Sequence, residues 1–118
     1  MAITPSKLFN PTSLPSTTGA VFTCPAATTI FYSGFTLHNT NSTAEMVELW
    51  NVPNNGGSVG TAADVPHRFL KISLAADETF IYEAPNNGIV HDAANDTIQG
   101  RATTVSKVNI TPHGVKDV

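Results

Sequence analysis

Alternation of apolar and polar residues dominates this chain. Residues Arg68 to Leu74 set Arg68, Leu70, Ile72 and Leu74 against Phe69, Lys71 and Ser73, and Glu45 to Val52 set Val47 and Leu49 against Met46, Glu48, Trp50 and Val52. A period of two describes an extended strand with one buried face, and no stretch carries the 3.6-residue period of a helix. Six further segments read the same way: Ala20 to Cys24, Ile30 to Asn39, Thr79 to Glu83, Ile89 to Asp92, Thr97 to Thr103 and Lys107 to Thr111. In Ile30 to Asn39 the register becomes ambiguous at Gly34, which predicts a bulge there. The connections Asn39-Thr40-Asn41-Ser42, Ala75-Ala76-Asp77-Glu78, Asn86-Asn87-Gly88 and Asn95-Asp96 are turn chemistry for antiparallel pairs. Short strands so closely spaced predict an all-β fold, an antiparallel two-sheet β-sandwich of immunoglobulin-like or jelly-roll type, with a closed barrel second.

Residues 1–19 break the pattern. Pro5, Pro11 and Pro15 stand among Ser and Thr, with Leu8, Phe9 and Leu14 as the sizeable apolar anchors. Neither helix nor regular strand is supported, so this stretch reads as an extended N-terminal arm preceding a sandwich domain at 20–118. Such an arm lies on its own body or reaches a neighbouring subunit, and the sequence leaves both open. Trp50-Asn51-Val52-Pro53-Asn54-Asn55-Gly56 and Tyr82-Glu83-Ala84-Pro85-Asn86-Asn87-Gly88 echo one another, but diverge beyond the turn and read as two similar turns. The stretch from Asn54 to Pro66 is the longest irregular one in the body. Long loops on a rigid sandwich concentrate contacts with partners, so this loop is the first candidate contact surface.

Length and charge narrow the function classes. With 118 residues there is material for one core. Six Lys and Arg against nine Asp and Glu give a net charge of −3 without a basic run, which argues against nucleic acid and anionic membranes as partners. The start lacks the apolar core of a secretory signal, and no 20-residue apolar run occurs, so synthesis in a cytoplasm and no membrane are expected. Cys24, the single cysteine, cannot form an internal disulfide and reads as a small buried hydrophobe at a strand end.

Chemistry-bearing patterns are sparse. His38, His67, His91 and His113 lack zinc spacing, and although His91, Asp92 and Asp96 form the densest polar cluster, it reads as a solvated turn; no metal or cofactor is expected. Gly57-Ser58-Val59-Gly60 is not a nucleophile elbow, and Glu45 and Glu48, three apart on a strand, face opposite ways. No enzyme activity is expected; a hydrolase would need His67 or His91 to gather a carboxylate and a nucleophile in one cleft. Three glycosylation sequons, at Asn41, Asn95 and Asn109, match chance for this composition. Trp50, Tyr32 and Tyr82 could build a sugar-stacking platform, though Trp50 alternates with Met46 and Val52 as a buried residue would.

Read in order, Thr23-Cys24-Pro25-Ala26, Phe35-Thr36-Leu37-His38-Asn39-Thr40, Val47-Glu48-Leu49-Trp50-Asn51-Val52-Pro53, Asp77-Glu78-Thr79, Asn95-Asp96-Thr97-Ile98 and Val108-Asn109-Ile110-Thr111-Pro112-His113-Gly114 resemble a family of small virion β-sandwich proteins of tailed bacteriophages. The resemblance runs from about Ala20 to Val115. Asn95 stands where that family has glycine, and Cys24 where it has a small residue. The resemblance implies a non-enzymatic structural protein located in the virion: a capsid decoration or cement protein bound to the major capsid protein or other virion proteins, with self-association in a symmetric array. The alternative is a tail- or fibre-associated module recognising a cell-surface carbohydrate. Candidate partner contacts are Leu8, Phe9 and Leu14 of the arm, Trp50, and Asn54, Asn55 and Val59 of the loop.

Overall fold

Every alternating segment forms a strand in the computed structural model, which describes residues 8–61, 64–85 and 88–117. The strands are β1 (Thr12–Ser13), β2 (Gly19–Thr23), β3 (Thr29–Asn39), β4 (Glu45–Val52), β5 (Arg68–Leu74), β6 (Thr79–Glu83), β7 (Ile89–His91), β8 (Thr97–Ala102) and β9 (Val108–Asp117), with a 3-10 turn at Val65–His67. One sheet runs β1-β9-β3-β6, with β7 pairing farther along the same edge of β3; the other runs β2-β8-β4-β5. All pairs are antiparallel. Each of the first three connections therefore crosses from one sheet to the other. An immunoglobulin-like sandwich pairs its first two strands within one sheet, so this order is the double-layer wrapping of a jelly roll.

The predicted bulge is present. In the β3–β9 ladder Tyr32 pairs with Gly114 and Gly34 with His113, which leaves Ser33 as the extra residue. The backbone is crowded there: a Cβ on Gly34 would strike the Tyr82 carbonyl, and one on Gly114, at φ 151°, the Phe31 carbonyl. β9 runs six residues past its expected end at Thr111. Pro112 and Gly114 read as strand breakers in the sequence, yet Pro112 is buried opposite Phe35 and Gly114 fits the close approach to Phe31.

The core is apolar and aromatic. Phe22, Ile30, Tyr32, Phe35, Leu37, Val47, Leu49, Leu74, Ile98, Val108 and Ile110 are buried in one cluster between the sheets. Rings span the interior from side to side: Phe9 stacks on Phe22 at 5.1 Å between centroids, Phe22 on Phe35 at 6.3 Å, Phe35 on Phe69 at 5.9 Å, and Phe69 tilts against Tyr82 at 5.2 Å.

The described part of the arm lies on its own body. β1 adds to the edge of β9, pairing Thr12 with Ile110 and Ser13 with Asn109. Immediately afterwards Leu14 N–H donates to the Val108 carbonyl and Ala102 N–H to the Pro15 carbonyl, both at 2.8 Å, so the arm ties an edge of each sheet to the other. Leu14 is 0% exposed and fills the space that Gly100 leaves by lacking a side chain; Leu8 is also buried, and Phe9 half-buried. Burying a leucine completely stabilises by about 1.5–3 kcal/mol. Leu8 and Leu14 are thus core residues, not partner contacts, because the open side of the sandwich supplies the apolar surface they need. Residues 1–7 of the arm lie outside the described residues.

One end of the sandwich is closed by polar side chains. Asn39 Nδ2 donates to the carbonyls of Thr43, Leu74 and Ala75, while its Oδ1 accepts from Asn41 N–H. Glu45, equally buried, accepts from Thr104 N–H at 2.7 Å, Thr104 Oγ1 at 2.8 Å and Asn41 Nδ2 at 3.0 Å. Burial by itself would raise the Glu45 carboxyl, but these donors and the Lys107 charge outweigh it and hold the group below its ordinary range.

Candidate functional site

The candidate contact loop begins where β4 ends, and its local sequence determines its shape. Asn55 and Ser58 exchange main-chain hydrogen bonds at 2.8 and 3.1 Å around Gly56 and Gly57, at φ 60° and 88°. Two successive positive φ values make this a type I′ hairpin turn, a geometry that two glycines adopt without steric cost. The tip is then fastened to the sheet. Asp96 Oδ1 accepts from both the backbone and side-chain N–H of Asn54 at 2.9 Å, Asn54 Oδ1 accepts from Gly57 N–H, and Asn95 Nδ2 donates to the Gly57 carbonyl at 2.7 Å. On the return, the buried Gln99 donates to the Gly60 carbonyl at 2.8 Å. Gly60 itself packs so closely on Pro53 and Val52 that a Cβ there would clash.

The loop therefore covers part of the outer face of the four-stranded sheet. Trp50 pairs with Gln99 and Val52 with Thr97, on the face opposite Leu49 and Asn51. Trp50 is 5% exposed and stands outside the core cluster, as does Val52. Its burial removes it as a partner contact and as a sugar-stacking platform. Tyr82 is half-buried between Phe69 and Phe35, and Tyr32 is buried, so the three aromatics share no exposed face. Of the expected loop contacts, Asn54 is half-buried and holds the turn, whereas Asn55 and Val59 face solvent, Val59 at 42% exposure.

Asp96 is the anchor that sequence reading left as part of a solvated turn. Burial would raise its carboxyl, but the two Asn54 donors, Ala93 N–H and the nearby His91 hold it low, so it stays charged and keeps accepting. The signal for this role is its position immediately before β8 in a turn whose Asn95 is at φ 69°, but the partner, Asn54, is forty-two residues away. No group of three His, Cys, Asp or Glu that could hold a metal occurs among the described residues.

Beneath this loop, at the end of the sandwich opposite Asn39 and Glu45, lies a second polar group. Cys24 Sγ faces the carbonyls of Thr28 and His91 at 3.4 and 3.7 Å. Burial, then the charges of Asp96 and Asp92, push its thiol up, which leaves it protonated and a poor nucleophile. His91 Nε2 hydrogen-bonds Asn51 Oδ1 at 2.8 Å, which makes Nε2 the protonated nitrogen. His91 Nδ1 and the Tyr32 hydroxyl, both buried, have no hydrogen-bond partner among the described residues. Burial lowers the His91 imidazole despite Asp96 and Asp92, and raises the Tyr32 phenol, with Cys24 adding to the rise. The remaining histidines bond locally: His67 to Asp64, His38 to Thr79 and His113 to Thr36. Neither His67 nor His91 joins a carboxylate and a hydroxyl in a shared hydrogen-bond chain among the described residues.

Comparison with family models, curated proteins and solved structures finds no match to this chain. The likeness noted in the sequence therefore rests on its own residues.

Proposed function

We propose that this chain is a non-enzymatic structural protein of a bacteriophage particle, a decoration or cement protein that binds the head surface through the major capsid protein or another virion protein. The observation that carries the reading is the use the fold makes of the segments that resemble small virion proteins. Cys24 N–H after β2 donates to the Asp96 carbonyl, Asn39 and Asp96 fasten loops, and Val47, Leu49, Ile98, Val108 and Ile110 fill the core. Those segments are scaffold. The buried side-chain polarity of Asn39, Glu45, Asp96 and Gln99 is engaged with the chain's own loops, and the exposed turn at Asn55 and Val59 offers a surface for a partner. Immunogold labelling of intact particles with an antibody against the isolated chain tests this. Regular gold over heads is the expected result; gold confined to tails favours the tail-associated reading, and unlabelled particles overturn the virion assignment.

A further inference from the structure

The edges of the two sheets are not equally protected. An open edge offers unpaired main-chain groups to any other strand, and proteins block it with short strands, proline, bulges or charge. β1 is two residues long between Pro11 and Pro15. β2 carries a register shift at Val21, and β5 carries one at Phe69 together with Arg68 and Lys71. β6, Thr79-Phe80-Ile81-Tyr82-Glu83, has neither a proline nor a bulge, and its one charged residue, Glu83, stands at its end. It pairs with β3 in unbroken register, and Ile81 at its centre is 61% exposed.

The hydrogen-bonding phase of β6 is fixed by its ends. Asn39 N–H donates to the Glu78 carbonyl and Ala84 N–H to the Ser33 carbonyl, so the even-numbered residues turn their main chain toward β3. Thr79, Ile81 and Glu83 then turn their N–H and C=O groups outward. We infer that this edge pairs with β6 of a second copy of the chain, antiparallel about a two-fold axis through Ile81, joining the two β6-bearing sheets into one.

The edge is self-complementary in that register. Ile81 meets the partner's Ile81 and Thr79 meets the partner's Glu83, each pair exchanging both of its N–H···O bonds, and no other register uses all three outward residues. On the inner face the half-buried Phe80 comes opposite the partner's Tyr82, a cross-strand aromatic pair at the side of the sandwich where Phe69, Leu70 and Ile72 are also only half-buried. The two Glu83 carboxylates fall about 13 Å apart, four residues along the strand. That exceeds the screening length of about 8 Å at physiological salt, so their repulsion is small. The inference goes beyond the virion reading and does not depend on it.

Sedimentation velocity of the full chain over a concentration series up to ~1 mM tests it. The expected result is a shift from the 12.4 kDa monomer toward twice that mass. Ile81→Lys, which sets like charges face to face, and Ile81→Pro, which removes one outward N–H without touching the β3 ladder, should each raise the dissociation constant at least about tenfold. Thermal melts check that both variants fold, and either folded variant suffices. A chain that stays monomeric, or folded variants that dimerise like the parent, overturns the inference.

Discussion

The two open sides of this sandwich are built differently. On one, the arm spans the gap: β1 extends β9, Leu14 is fully buried against Gly100, and main-chain hydrogen bonds reach both Val108 and Ala102. On the other, between β5 and β6, no segment among the described residues plays that part, and Phe69, Leu70, Ile72, Phe80 and Tyr82 stay half-buried. A two-layer sheet protein has two such seams and must cover each with its own chain, with bulky side chains, or with a partner. This chain uses a segment of itself for the first and aromatic side chains for the second.

The same chemical change at the two sides breaks the comparison most directly. Leu14→Ala should destabilise by about 2–5 kcal/mol, the range for a fully buried leucine in a site that cannot collapse. Chemical denaturation gives this number, and a cost as small as that of a surface residue would mean that the arm is not part of the core. At the loop end, Asp96→Ala should cost about 1–3 kcal/mol, since Asn54 and Ala93 N–H lose their acceptor. Across the molecule, Leu70→Ala should cost about 1 kcal/mol, because the side chain already keeps part of its surface in water. Equal losses at Leu14 and Leu70 would erase the distinction between the sides.

Acid should act on the ends of the sandwich, not on its sides. The folded-state value of His91 lies below its ordinary 6.5, so the unfolded chain takes up a proton first, and stability that is complete above that pH falls as pH drops through the interval beneath it. Glu45 and Asp96 lie below 4.5 and 3.8, and their contribution is lost at lower pH still, as each is protonated in the folded state. Melting temperature against pH should therefore be flat from neutrality up to pH 9.0, above which the raised Cys24 thiol and Tyr32 phenol begin to cost stability, and decline below neutrality. His91→Gln should remove the part of the decline nearest pH 6, and an unchanged profile would show that His91 is not held neutral. The smallest effect belongs to the exposed loop: Val59→Ser should change stability by less than about 0.5 kcal/mol yet lower occupancy on particles if the turn is the head contact.

Most strands were legible in the sequence because Glu45–Val52 and Arg68–Leu74 each bury one face, and alternation records that directly. The bulge at Ser33 was legible through Gly34. Pairing across the sandwich was not: nothing near Leu14 announces Gly100, and nothing near Asn54 announces Asp96. Trp50 shows what alternation leaves open: the pattern marks a buried residue without saying what covers it. Its phase puts it opposite Leu49, as the pattern indicates, but the glycine turn at 56–57 lets a loop fold back over that face. The surface left to partners follows from such long-range contacts, so the candidate site was less legible than the fold.

The arm from Leu8 onward belongs to this body and leaves partner contacts to other surfaces. Hydrogen exchange of the isolated full chain tests it at the amides of Leu14 and Ala102, which bond across the arm. Protection of both close to that of the β3–β9 ladder is the predicted result. Exchange of Leu14 and Ala102 at the rate of an unstructured peptide, with the ladder still protected, would contradict it and return the arm to the role of a tether for a neighbour.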